Sequence, residues 1–109
     1  MKPWRTLGLA LGLALTVLSQ AVPALDARAQ RGLAFVRTHC AGCHAIGKAG
    51  ESPLPRAVPF RLLHTRYPVD SLAEAFAEGI VTGHPTMPEW RLDPPQINDL
   101  LAYLRSLEP

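Results

Sequence analysis

The residues of this chain best suited to chemistry are Cys40-Ala41-Gly42-Cys43-His44. Two thiols separated by two residues, with an imidazole directly after the second, match the spacing for covalent attachment of a c-type haem. The thiols must reach two vinyl groups on one porphyrin edge, while His44 must come under the iron from the same short turn. Small Ala41 and Gly42 keep that turn free of bulk. Three other chemistries share part of the pattern: a thioredoxin-like redox pair, half of a zinc site and a structural disulfide. A redox pair is expected near a βαβ pattern, and the chain has no convincing strand run. A zinc site needs two further ligands at motif-like spacing, and Cys40 and Cys43 are the only cysteines.

A haem held by His44 calls for a ligand on its other face. Met87 is the only methionine besides Met1, and it stands in the polar stretch Thr82-Gly83-His84-Pro85-Thr86-Met87-Pro88. Pro85 and Pro88 hold such a loop extended and limit its entropy. Met87 is therefore the first candidate for the distal iron ligand, with His84 as its rival in a bis-histidine arrangement. His39 lies just before the motif and competes with His44, but only His44 has the position that the attachment geometry requires. A ligating imidazole normally donates its other N–H to a carbonyl, and Val58 or Pro59 is the expected acceptor. His64 and Tyr67 are polar residues within reach of a haem propionate, with surface placement the default for His64 and partial burial for Tyr67.

The elements that must position these residues are helical. From Asp26, a capping residue, to about His39, apolar Ala29, Gly32, Leu33, Val36 and Cys40 recur at three- and four-residue steps. Gly32 inside that helix costs ~1 kcal/mol relative to Ala, so its presence predicts close approach of another helix. Phe35 is expected to pack in the core or against a haem edge. From Gly47 to Pro68 repeated Gly and Pro break any long helix and predict a loop wrapped around the cofactor, with a short helical turn at Phe60 to His64. Val69 to Glu78 reads as a short helix, with a Ser71/Glu74 capping box and Gly79 just past its end. Trp90 is expected to pack over the pocket or the last helix. Asp93-Pro94-Pro95-Gln96 is a strong helix start, after which Ile97, Leu100, Leu101, Leu104 and Leu107 form one apolar face. Leu100 and Tyr103 are the candidates for crossing the first helix at Gly32.

The amino terminus has the pattern of an export signal. Lys2 and Arg5 form a basic start, Thr6 to Leu18 an uncharged apolar run, and small residues follow. That run is short for a membrane span, which takes ~20 residues. Cleavage after Val22-Pro23-Ala24 is favoured over Ala27-Arg28-Ala29, because the second would cut into the opening helix. Residues 1–24 are thus read as a signal peptide, or an uncleaved anchor, and residues 25–109 as one small domain. Trp4 belongs to the signal. Export places the protein in the periplasm, and thioether bonds would remove both thiols from disulfide chemistry. Charge is segregated: up to Arg66 basic side chains dominate, whereas from Tyr67 onward Asp70, Glu74, Glu78, Glu89, Asp93, Asp99 and Glu108 face only Arg91 and Arg105. Such asymmetry can orient the molecule toward a charged partner. The bases are too few and dispersed for a nucleic-acid role.

With these residues in place the chain resembles the class I c-type cytochromes, especially short exported bacterial monohaem members. The likeness spans nearly all of residues 25–109: Gly32 eight before the first motif cysteine, Cys40-Ala41-Gly42-Cys43-His44, a proline-bearing loop, Met87-Pro88 and a last helix with Leu100 and Tyr103. It implies an all-α fold in which the first and last helices cross and loops and a short helix wrap one covalent haem with an exposed edge. Two positions depart from many relatives: Val36 stands where an aromatic is common, with Phe35 beside it, and Val58-Pro59 replaces a proline first.

A haem closed by His44 and Met87 has no open site for a substrate, so the reading is one-electron transfer and not an enzyme. A diffusible, monomeric periplasmic carrier between redox partner proteins is the first expectation, with membrane association only if residues 1–24 are retained. A haem c subunit of an oxidase or dehydrogenase is the alternative. A gas sensor or peroxidase would require an easily vacated distal position.

Overall fold

Asp26 opens the first helix by accepting a hydrogen bond from the Ala29 N–H at 2.8 Å, which satisfies one of the unpaired donors of the first turn. The helix, α1, runs Ala27–His39. Arg37 lies in its last turn, where positive charge complements the negative end of the helix dipole. The computed structural model describes residues 1–3, 8, 12–19, 25–81 and 86–109. His84 and Pro85 lie outside the described residues, as do Trp4 and the Val22-Pro23-Ala24 cleavage site.

The last helix, α3, spans Pro94–Ser106 and carries the expected reciprocal cap. The Gln96 N–H donates to Asp93 Oδ1 at 2.9 Å, and the Asp93 N–H donates to Gln96 Oε1 at 3.1 Å. Pro94 occupies the first helical position, where a missing N–H costs nothing. The predicted stripe of Ile97, Leu100, Leu101, Leu104 and Leu107 is buried throughout, joined by Tyr103. On α1, Ala29, Gly32 and Val36 are buried, with Val36 fully enclosed at 0% exposure, while Leu33 and Cys40 are only partly covered. Each such aliphatic side chain removed from water contributes about 1.5–3 kcal/mol.

The two helices cross where Gly32 lies, as its glycine predicts. A side chain there would run into the backbone carbonyl of Asp99 and come within 2.8 Å of Tyr103 Cβ. Tyr103 is thus at the crossing as expected, with the Asp99 backbone beside it. Leu100 is buried in the same core and also lines the interior cavity. Two polar ties reinforce the packing. Arg31 forms a bidentate pair with Asp99, both hydrogen bonds at 2.9 Å, and the Tyr103 hydroxyl donates to the Ile46 carbonyl beyond the motif.

Between these helices the chain is mostly loop. A short 3₁₀ helix occupies Phe60–Thr65, the turn that the sequence allows there. Another 3₁₀ turn, Val69–Ser71, runs straight into α2, Leu72–Glu78. Because Ser71 itself is helical (φ −66°, ψ −16°), its side chain makes no cap and the expected Ser71/Glu74 box does not form. Gly79 ends α2 at φ +104°, a conformation that favours glycine. An isolated antiparallel bridge then joins Ile80 to Trp90, and the Leu92 N–H donates to the Phe76 carbonyl at 2.8 Å. These contacts close the base of the segment that carries Met87. Residues 12–19 have no regular structure, with Leu13, Leu15, Val17 and Leu18 exposed. No helix among the described residues is long and apolar enough to cross a membrane.

Candidate haem site

The motif grows out of the carboxyl end of α1. The Cys40 N–H still donates to the Val36 carbonyl at 2.9 Å, and the Cys43 and His44 N–H groups both return to the Cys40 carbonyl, at 3.1 and 2.9 Å. Cys40, Cys43 and His44 are thereby held on one tight turn, and all three line one cavity. Cys40 is half-buried and Cys43 exposed, both as free thiols. Burial pushes the Cys40 thiol up to about 11, so it stays protonated at neutral pH and behaves as a small apolar group.

His44 is fixed from behind. Its Nδ1 donates to the Val58 carbonyl at 2.7 Å, one of the two acceptors that the sequence suggests. Since a carbonyl can only accept, the proton sits on Nδ1 and the lone pair on Nε2, the tautomer a metal ligand requires. Phe60 packs beside the imidazole with ring centroids 4.8 Å apart. The loop that supplies Val58 is anchored to the motif by Phe60 N–H to the Ala45 carbonyl at 2.9 Å and Leu54 N–H to the Cys43 carbonyl at 3.1 Å. The Ala45 N–H donates to Ser52 Oγ at 2.9 Å. A displaced proline in this family pattern therefore changes nothing essential, because the acceptor is a main-chain oxygen.

The cavity measures about 900 Å³, within the roughly 300–1,000 Å³ typical of cofactor pockets. Leu63, Leu72, Phe76, Leu100 and Leu104 give it an apolar floor, supplied by the 3₁₀ helix, α2 and α3. Met87 and Pro88 line it as well, so the sole methionine of residues 25–109 and the tautomerically fixed His44 border the same space. Phe35 and Trp90 also lie on its wall, their rings 5.9 Å apart edge to face, and His39 joins them at 4.6 Å from Phe35 and 5.0 Å from Trp90. Phe35 thus serves both the core and the cavity, and His39 is exposed at the rim. A large apolar cavity, two thiols on one turn, an imidazole with its Nε2 lone pair free and one soft thioether fit a covalently attached haem.

Two residues sit otherwise than the sequence suggests. His64 is half-buried: its Nδ1 is buried without a hydrogen-bond partner among the described residues, although His64 does not line the cavity. Tyr67 lines the cavity but remains 41% exposed. Sequence reasoning missed the Ile80–Trp90 bridge and the Tyr103–Ile46 tie. Both join residues far apart or outside regular elements, and carry no periodic signal.

Comparison with known proteins agrees with this geometry. Residues 27–104 match the family described as cytochrome c oxidase, cbb3-type, subunit III. Among curated relatives, cytochrome c-552 of Bradyrhizobium diazoefficiens is 33% identical over 97 residues, covering 89% of this chain and 91% of the relative. No solved structure matches at comparable significance. Bound haem of this type supplies a metal centre that accepts and returns one electron. The chain belongs to the cytochrome c oxidase, cbb3-type, subunit III family, as an all-α c-type cytochrome domain that carries one covalent haem c for electron transfer.

Proposed function

We propose that this protein is an electron-transferring haem c subunit of a respiratory oxidase, with Cys40 and Cys43 as the thioether-forming residues and His44 and Met87 as the axial iron ligands. The observation that carries the ligand set is the Nδ1 to Val58 hydrogen bond, which presents a basic Nε2 in a cavity that Met87 also borders. His44 contributes a fixed imidazole. Met87 contributes a neutral thioether, which favours the reduced metal and raises the potential. The apolar floor excludes water and lowers the local dielectric, so oxidation-state changes cost little reorganisation.

The description of the matched family, an oxidase subunit, favours assembly with an oxidase over the freely diffusing carrier that the sequence alone puts first. The proposed domain division keeps residues 1–24 as an export signal. Support comes from an apolar run whose described side chains pack on nothing. Export puts residues 25–109 in the periplasm. The test is purification of the full chain from its native membrane under mild detergent and again from the soluble periplasmic fraction. Recovery in stoichiometric association with an oxidase supports the subunit reading, and recovery of all the haem protein as a free monomer overturns it.

A further inference from the structure

The two peptide planes that flank His44 are held by different means. On the amino side, the 43–44 unit is fixed at both ends by main chain: the Leu54 N–H donates to the Cys43 carbonyl at 3.1 Å, and the His44 N–H donates to the Cys40 carbonyl at 2.9 Å. On the carboxyl side, the 44–45 unit makes one hydrogen bond among the described residues, from the Ala45 N–H to Ser52 Oγ at 2.9 Å. Ala45 is buried, so water is a poor substitute, and an unpaired buried N–H is costly. Among the hydrogen bonds that tie residues 52–60 to the motif, Ser52 alone contributes a side chain, whereas Leu54, Val58 and Phe60 use main-chain atoms. The segment that carries Ser52 is itself anchored. Arg61 of the 3₁₀ helix donates to the Gly50 carbonyl at 2.6 Å, and Gly50 makes the turn at φ +94°.

We propose that Ser52 is a positioning residue for the axial imidazole: its hydroxyl holds the 44–45 peptide plane, which sets the backbone of His44 and so the line from Nδ1 to the Val58 carbonyl. The inference rests on the haem reading above. Ser52 does not line the cavity, so its influence travels through the His44 backbone and not through contact with the cofactor. The Nδ1 hydrogen bond makes Nε2 more basic, and a more basic ligand favours the ferric state. Without the Ser52 hydroxyl the 44–45 plane loses its fixed end. The imidazole then turns, the bond to Val58 lengthens, and the less basic Nε2 moves the equilibrium toward the ferrous form.

The test uses purified holoprotein of the wild type, Ser52→Ala, Ser52→Thr and Gln96→Ala. The last removes one bond of the α3 cap and is the control for lost stability alone. Three readouts are taken: the paramagnetically shifted porphyrin methyl resonances of the ferric protein, whose pattern depends on the direction of the imidazole plane; equilibrium redox titration; and hydrogen exchange of the Ala45 amide. Ser52→Ala is expected to change the methyl pattern and to shift the reduction equilibrium about threefold or more toward the ferrous form. Exchange at Ala45 should quicken about tenfold, as for the loss of one hydrogen bond. Ser52→Thr keeps the hydroxyl and should restore all three readouts, while Gln96→Ala should lower the unfolding midpoint and leave methyl pattern and potential unchanged. A Ser52→Ala protein with wild-type methyl pattern and potential overturns the proposal, as do the same changes in Gln96→Ala. Fast exchange of the Ala45 amide in the wild type overturns it even where Ser52→Ala fails to mature. Absence of covalent haem in the wild type would instead defeat the haem reading itself.

Discussion

At the scale of single residues, the site depends on hydrogen bonds that leave one atom free for chemistry and occupy the other. His44 shows this most plainly, since the Val58 carbonyl selects its tautomer. Tyr103 does similar work at a distance: its hydroxyl holds the Ile46 carbonyl, two residues past His44, while its ring packs at the helix crossing. Burial raises the Tyr103 phenol above its usual range, so it remains a donor at all physiological pH values. Tyr103→Phe should therefore cost about 0.5–1.5 kcal/mol, the net worth of a typical hydrogen bond at a part-buried carbonyl, measured as a lower midpoint in chemical denaturation of the holoprotein. Asp99 is held below the ordinary carboxylate range chiefly by its hydrogen bonds to Arg31. A depressed carboxylate stabilises the fold above its unfolded value of about 3.9 and loses that contribution as the pH falls through the folded value. Wild type should thus be more stable than Asp99→Asn at neutral pH, with the gap closing below about pH 4 and shrinking in high salt. A gap that is constant with pH would assign the effect to packing.

At the scale of elements, the crossing of α1 and α3 sets where the motif turn begins. Gly32→Ala would gain up to ~1 kcal/mol in helix propensity. It also forces a methyl group into the Asp99 carbonyl and Tyr103, and overpacking of this kind costs about 1–3 kcal/mol or more when backbone must shift. Net destabilisation is expected in thermal unfolding, whereas Gly47→Ala, whose added carbon meets nothing within 4 Å, should be close to neutral. A stable Gly32→Ala protein would contradict the crossing. Helices were legible in the sequence because periodicity and caps are local: Asp26, the Asp93/Gln96 box and the leucines of α3 all stand where they were expected. Contacts across the fold were legible only in part: Gly32 marked the crossing, whereas the Arg31–Asp99 pair and the Tyr103–Ile46 tie carry no periodic signal. Ser71 lost its cap because a 3₁₀ turn continues into α2, and His64 became half-buried on a helix too short to show a pattern. At the site, the cysteine and histidine spacing of the motif was legible from the sequence, and Met87 borders the same cavity. That Arg56 and Arg66 border the cavity emerges only once the loop is folded around it.

For the whole molecule, a cavity of about 900 Å³ floored by core leucines in so small a domain means that the porphyrin forms part of the core. Small domains bury a limited apolar area and have little stability in reserve. A Cys40→Ala/Cys43→Ala chain, unable to form thioethers, is expected to lose its cooperative thermal transition and most of its helical circular dichroism. Native-like cooperativity in that variant would show that the helices fold without the cofactor. Segregated charge adds a further consequence at this scale. An electron-transfer domain with basic and acidic halves should associate with its partner at a rate that falls as ionic strength rises.

The central claim is a haem closed on both faces by His44 and Met87, and its most direct measurement is the optical spectrum of matured protein, oxidised and reduced, with and without carbon monoxide, for wild type and Met87→Ala. The account predicts a low-spin wild type with the weak near-infrared band of ferric methionine ligation and no carbon monoxide adduct, and a Met87→Ala variant that loses the band and binds carbon monoxide. A wild type that is high-spin or binds carbon monoxide, or a Met87→Ala spectrum identical to it, would contradict the closed electron-transfer site.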